Sequence, residues 1–188
     1  IWATRDGADA SPSPNALPEP EIVSLGATAL LEPVEIGAIA FTEGGAPPTE
    51  RIDGIFLDAL EPASVSQSWG ELQRNRSVWE RPLTIGSKRY VRGLGTHAAS
   101  HIVYALDGAY RRFEAEVGPD GANRGTVTFE VRVDGVVRWQ SGLMTRTDDP
   151  RRVEVDITSA RELTLVVGDG GDGVACDHAN WADAKLLR

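Results

Sequence analysis

Cysteine is almost absent. Cys176 is the single one in 188 residues, so no disulfide can close within the chain and no multi-cysteine zinc site can form. Long apolar runs are absent as well, since no stretch approaches the roughly 18 residues a membrane helix needs. Basic residues are scarce relative to acidic ones, 19 against 28, for a formal net charge of −9. Nucleic-acid binding requires a positive patch that displaces counterions, so this balance argues against a nucleic-acid partner. There is no initiating Met and no basic region leading into an apolar core at Ile1-Trp2-Ala3. The sequence therefore reads as a processed product or an excerpt of a longer protein.

What remains is an ordinary globular composition, 41% apolar and 25% charged, with enough length to bury a core. Composition changes near residue 52. Residues 1–52 hold 7 of the 11 prolines and 8 acidic against 2 basic residues. The tract Ser11-Pro12-Ser13-Pro14 through Pro20 reads as an extended, polyproline-like linker. Residues 1–52 are expected to be an acidic, proline-rich linker with accessory strands, and 53–188 the folded domain.

The second part reads as all-β. Thr126–Val133 alternates with period two, Asp134-Gly135 supplies a two-residue turn, and Val136–Trp139 returns, the pattern of a hairpin. Further strands are expected at Ile55–Leu60, Leu83–Ile85, Ser100–Leu106, Arg112–Val117, Arg152–Ile157, Glu162–Val167 and Ala182–Leu187. Turn residues recur at intervals of roughly 8–12 residues, which together with short strands predicts a jelly-roll β-sandwich. No long segment has helical periodicity.

Two segments carry chemistry. Gly93-Leu94-Gly95-Thr96-His97-Ala98 has glycines two apart, which suggests a tight loop where backbone passes closely. It lacks the Lys and Ser/Thr of a phosphate loop. His97 at the rim would either donate to a loop carbonyl or aim a neutral imidazole at a ligand hydroxyl. The second segment, Asp177-His178-Ala179-Asn180-Trp181, follows a glycine- and aspartate-rich turn at 168–173. Asp or Asn can fix vicinal hydroxyls and a Trp ring can stack on the C–H face of a sugar, so this density points to carbohydrate recognition. Trp181 would equally serve as a core residue.

Other chemistries are weaker. Zinc on Cys176 and His178 is poorly served by neighbours at i and i+2, and Cys176 is expected to be a small buried hydrophobe. Calcium suits the acidic loops better. No Gly-x-Ser-x-Gly elbow occurs. Asp177 and Asp183 are the carboxylates a glycosidase could pair, but nothing in their surroundings marks either.

The run Trp69-Gly70, Asn75-Arg76-Ser77-Val78, Pro82-Leu83-Thr84-Ile85-Gly86, Tyr90, Gly93-Leu94-Gly95-Thr96-His97-Ala98, Gly171-Asp172-Gly173 and Asp177–Ala184 resembles the NPCBM family, carbohydrate-binding module family 51, over about residues 54–188. The resemblance implies a galactose-binding-like β-sandwich, non-catalytic, attached to extracellular glycoside hydrolases or similar enzymes. It also implies recognition of galactose-containing glycans and a structural calcium. By that likeness the two motif segments are loops at one end of the sandwich. His97, Asp177, His178 and Trp181 would form the sugar site, with Trp79 as an extra platform. Asn75 and Asp183 would serve calcium, although family members commonly carry Asp at the position of Asn75. The competing expectation is a structural sandwich that packs on a neighbouring domain without a sugar site; burial of both Trp181 and His97 would favour it.

Overall fold

A computed structural model describes residues 53–188 apart from 122 and 123. The linker and accessory strands expected in 1–52 lie outside the described residues. Among the described residues thirteen strands follow one another: β1 (Gly54–Phe56), β2 (Ser64–Gln67), β3 (Gln73–Arg74), β4 (Leu83–Ile85), β5 (Lys88–Tyr90), β6 (Gly93–His97), β7 (Ser100–Ala105), β8 (Arg112–Pro119), β9 (Thr126–Val133), β10 (Val136–Thr145), β11 (Arg151–Asp156), β12 (Glu162–Gly168) and β13 (His178–Leu187). A 3-10 turn, Leu57–Ala59, follows β1. Among the described residues there is no α-helix.

Two antiparallel sheets face each other. One has the order β11-β8-β13-β6-β3, with β1 also on β13; the other is β10-β9-β12-β7-β2. The expected hairpin is present: Val136 pairs with Val133, and Asp134 and Gly135 have φ of 48° and 76°, the left-handed pair that a type I′ turn requires. Strand alternation builds the core. Val127, Phe129, Val131 and Val133 of β9 point inward, as do Leu163, Leu165 and Val167 of β12. They meet Phe113, Ala115 and Val117 of β8 and Val153 and Val155 of β11. Burying each large side chain contributes about 1.5–3 kcal/mol, so this interior supplies most of the driving force.

Two expectations change here. The strand predicted over Ile55–Leu60 stops at Phe56 and tightens into the 3-10 turn, where consecutive Leu57 and Asp58 are both covered. More consequentially, the motif at 93–97 is a strand, not a loop, and every residue of it is buried. The segment from His178 is likewise the start of β13. The two strands pair antiparallel, His178 opposite His97 and Trp181 opposite Leu94. Their outer face is covered by the β4–β5 hairpin, whose Leu83, Ile85 and Tyr90 cluster with Ala182. The close backbone approach inferred from the paired glycines is real: a Cβ on Gly93 would sit 2.4 Å from the Trp181 carbonyl oxygen, and one on Gly95 2.3 Å from that of Arg76.

Candidate ligand-binding site

The site starts from one cross-strand pair. Residues directly opposite on adjacent strands share a face, so the register that sets His178 against His97 brings their rings to 5.2 Å. Two tryptophans close over them. Trp69, just past β2, stacks nearly parallel to His178 at 5.6 Å and 7° and lies tilted to His97 at 5.5 Å. Trp79, between β3 and β4, meets His178 edge to face at 4.4 Å. The tryptophans are 50% and 41% exposed, while both histidines are 4% exposed. The arrangement is a shallow aromatic floor with two imidazoles at its base. The Arg81 guanidinium lies 4.9 Å over Trp79 and steadies that ring by a cation–π contact.

Burial drives the charge state of this floor. Desolvation, with the neighbouring His97, pushes the His178 imidazole down to about 4, against a smaller opposing pull from Asp120. It is neutral at physiological pH. Its Nδ1 is buried with no hydrogen-bond partner.

Trp181 is not part of the floor. It is fully buried, edge-on to Phe129 at 5.1 Å and tilted to Phe113 at 6.4 Å. The reason is strand parity: residues three apart on a strand point to opposite faces, so with His178 turned outward Trp181 turns into the core. The expected sugar-stacking role is withdrawn on that ground. Asp177 also falls short of the bidentate role expected of it. It is 1% exposed; one carboxylate oxygen accepts the Thr126 N–H at 3.1 Å and the other is sealed off without a partner. Its backbone carbonyl accepts the Ala98 N–H at 3.0 Å. Asp177 therefore ties loops together beneath the floor. Burial, then the Asp172 charge, raises its carboxyl to about 6, while the Thr126 bond opposes and Asp169 adds to the rise.

Burial of Trp181 and His97 is the outcome expected of a purely structural sandwich. Trp69 and Trp79 supply the exposed aromatic surface that Trp181 lacks. Trp79 was expected. Trp69 was missed as a site residue, although an indole flanked by Ser68 and Gly70 has no apolar neighbours to bury it.

Metal and catalytic expectations fare differently. The Asn75 side chain is spent at both ends: its oxygen accepts the Gly93 N–H at 3.1 Å and its nitrogen donates to Asp58 at 3.1 Å. Asp58, buried in turn, is held by the Arg92 guanidinium at 2.8 Å. The Asp183 carboxylate instead lines a cavity of about 260 Å³ with Glu114, Glu116, Arg152 and Lys185. Calcium needs six to eight converging oxygens, and the set expected here combined these two side chains with backbone carbonyls of neighbouring loops. Among the described residues no group of three His, Cys, Asp or Glu side chains is placed to hold a metal. Cys176 is exposed rather than buried, because it lies in the exposed turn at 171–176 before β13. The Asp177 carboxylate is tied to the Thr126 N–H whereas Asp183 lines the cavity beside Glu114 and Glu116, so the two do not face each other across one glycosidic bond.

The NPCBM/NEW2 domain model matches residues 53–187. The chain belongs to the NPCBM/NEW2 family. Within it, the chain is 37% identical to a family 51 carbohydrate-binding module of Clostridium perfringens GH95, solved in complex with methyl-galactose. That match has a TM-score of 0.68 and covers 71% of this chain and 99% of the other. A second family 51 module, from Clostridium perfringens ZmpB and solved with GlcNAc, is 30% identical at the same TM-score, covering 71% of this chain and 31% of the other. Among curated proteins, Alpha-1,3-galactosidase B of Akkermansia muciniphila is 35% identical over 123 residues, 62% of this chain and 15% of that protein. A Renibacterium salmoninarum protein described as an endo-alpha-N-acetylgalactosaminidase is 29% identical over 149 residues, 75% of this chain and 10% of that protein. The chain thus spans between a tenth and a sixth of the curated relatives it matches. The NPCBM domain is a non-catalytic carbohydrate-binding module, a galactose-binding-like β-sandwich.

Proposed function

We propose that this NPCBM domain docks a galactose-type or related sugar on the floor formed by Trp69, Trp79, His97 and His178. The observation that carries the reading is the pair of half-exposed indoles over the paired imidazoles of His97 and His178. Indole faces stack on the apolar C–H face of a pyranose, and the imidazoles supply hydrogen bonds to its hydroxyls. The related modules solved with methyl-galactose and with GlcNAc support a monosaccharide-sized ligand. Few groups are buried on binding such a ligand, so Kd should fall on the order of 0.01–1 mM.

In its parent protein the module would concentrate a linked catalytic domain on glycan substrate. The small share of each curated relative that it matches supports that role. Its place would be outside the cell or at the cell surface, where such glycans are presented. No helix among the described residues is long and apolar enough to cross a membrane. Calorimetry with methyl β-galactoside and with GlcNAc tests the proposal: saturable binding that Trp69→Ala removes from a folded protein is expected. Unchanged binding by that variant would move the site elsewhere.

A further inference from the structure

The histidine at the base of the floor is oriented by contacts that the sugar site itself does not explain. Ser68 immediately precedes the exposed Trp69, and its segment is pinned to the β6–β7 junction. Its N–H donates to the Ala99 carbonyl at 3.1 Å. Next to it, the Gln67 side chain donates to the Trp69 carbonyl at 2.7 Å and accepts from Thr96 at 2.9 Å. The Ser68 hydroxyl donates to the Ala98 carbonyl oxygen. That same carbonyl lies 2.5 Å from Nδ1 of His97, and the Ser68 oxygen lies 3.0 Å from it.

These three contacts place a proton on Nδ1. A carbonyl oxygen only accepts. A bare lone pair on Nδ1 facing it at this range would be repelled, so Nδ1 must carry the hydrogen. The hydroxyl has already given its proton to the same carbonyl, leaving its own lone pairs toward Nδ1–H. In the neutral ring, a proton fixed on one nitrogen leaves the other bare. Nε2 has no hydrogen-bond partner among the described residues and is not sealed off as Nδ1 of His178 is.

We propose that Ser68, with the Ala98 carbonyl, locks His97 with its proton on Nδ1, so that Nε2 is a committed hydrogen-bond acceptor and the module selects sugars that present a hydroxyl donor to it. His97 is the contacting residue and Ser68 a positioning residue. This rests on the sugar-site reading above and deepens it by assigning the polarity of one hydrogen bond. The consequence is specific. A ligand group that only accepts, such as fluorine or an ether oxygen, meets a lone pair and is rejected, because a site built around one hydrogen bond discriminates strongly against the analogue that cannot make it.

Two measurements on the whole chain test it. Long-range proton–nitrogen spectroscopy on histidine-labelled protein near neutral pH should show His97 protonated at Nδ1 and bare at Nε2; a proton on Nε2 overturns the proposal. Calorimetry with methyl β-galactoside and its monodeoxy and deoxyfluoro analogues should find one ring position where both analogues bind about tenfold or more weakly. A deoxyfluoro sugar that binds like the parent where the deoxy sugar does not makes Nε2 a donor and overturns it too. Ser68→Ala should weaken binding about three- to tenfold and introduce a second tautomer in the spectrum, and Ser68→Thr should restore both. If Ser68→Ala changes neither, the positioning role is wrong. If methyl β-galactoside fails to bind the wild type at all, the sugar reading fails, while the nitrogen spectrum still decides the tautomer.

Discussion

Replacing Asp177 by Asn should stabilise the domain at neutral pH and leave it unchanged in mild acid. The native carboxyl holds its proton up to about pH 6 because it is buried beside the Asp172 charge, whereas an unfolded aspartate ionises near 3.8. Between those values the folded state binds the extra proton, so stability falls as pH rises through the window. The displacement corresponds to about 2–3 kcal/mol, allowing for nearby solvent. Asn keeps an oxygen for the Thr126 N–H and carries no charge. Asp177→Asn should therefore gain about 2–3 kcal/mol at pH 7, and the gain should vanish by about pH 4.

His178 acts in the opposite sense. Its folded value of about 4 lies below the ordinary 6.5, so the unfolded state takes up the proton first and stability falls as pH drops below 6.5. In the wild type the two neighbours offset each other between pH 4 and 6; the variant exposes the histidine slope alone. Urea unfolding at half-unit pH steps, read as wild type minus variant, isolates the effect from the other carboxylates. A variant less stable than wild type at pH 7, or a difference that does not change with pH, would refute the reasoning.

Other outcomes follow from the same geometry. Trp181→Ala should lose about 3–5 kcal/mol in chemical denaturation, because the ring fills the core against Phe129; reduced sugar binding in that variant would track its unfolded fraction. Arg92→Ala should lose about 2–3 kcal/mol by leaving the Asp58 carboxylate buried beside Asn75 without its cation, and Asp58→Asn combined with it should recover part of that loss in the same assay. Chelation with EDTA should leave the melting temperature within about 1 °C, because the Asn75 amide is already held by Gly93 and Asp58 and no group of three His, Cys, Asp or Glu side chains among the described residues is placed to hold a metal; a fall of several degrees, reversed by added calcium, would contradict this.

How much of this was legible in the sequence depends on what each strand faces. The Thr126–Val133 strand alternates cleanly because one side meets the core and the other solvent, and its Asp-Gly turn is nearly self-announcing. β6 and the first half of β13 were read as loops. They are covered on both sides, by the core and by the β4–β5 hairpin, so period-two alternation is lost. Their glycines, which permit backbone contact with Arg76 and Trp181, mimic turn signals. That single misreading also misplaced Trp181, since His178 and Trp181 share a side only on a loop and never on a strand. The clustering of His97 with His178 and Trp79 was anticipated from motif likeness. Trp69 and Ser68 were not, because their role depends on a register set some 30 and 110 residues away in sequence.

The most direct test of the account is titration of the folded domain with methyl β-galactoside by calorimetry, wild type beside Trp69→Ala, with circular dichroism confirming that both are folded. The account predicts saturable binding in the 0.01–1 mM range that weakens at least about tenfold in the variant. Equal binding by both proteins would contradict the placement of the sugar on the Trp69–Trp79 floor.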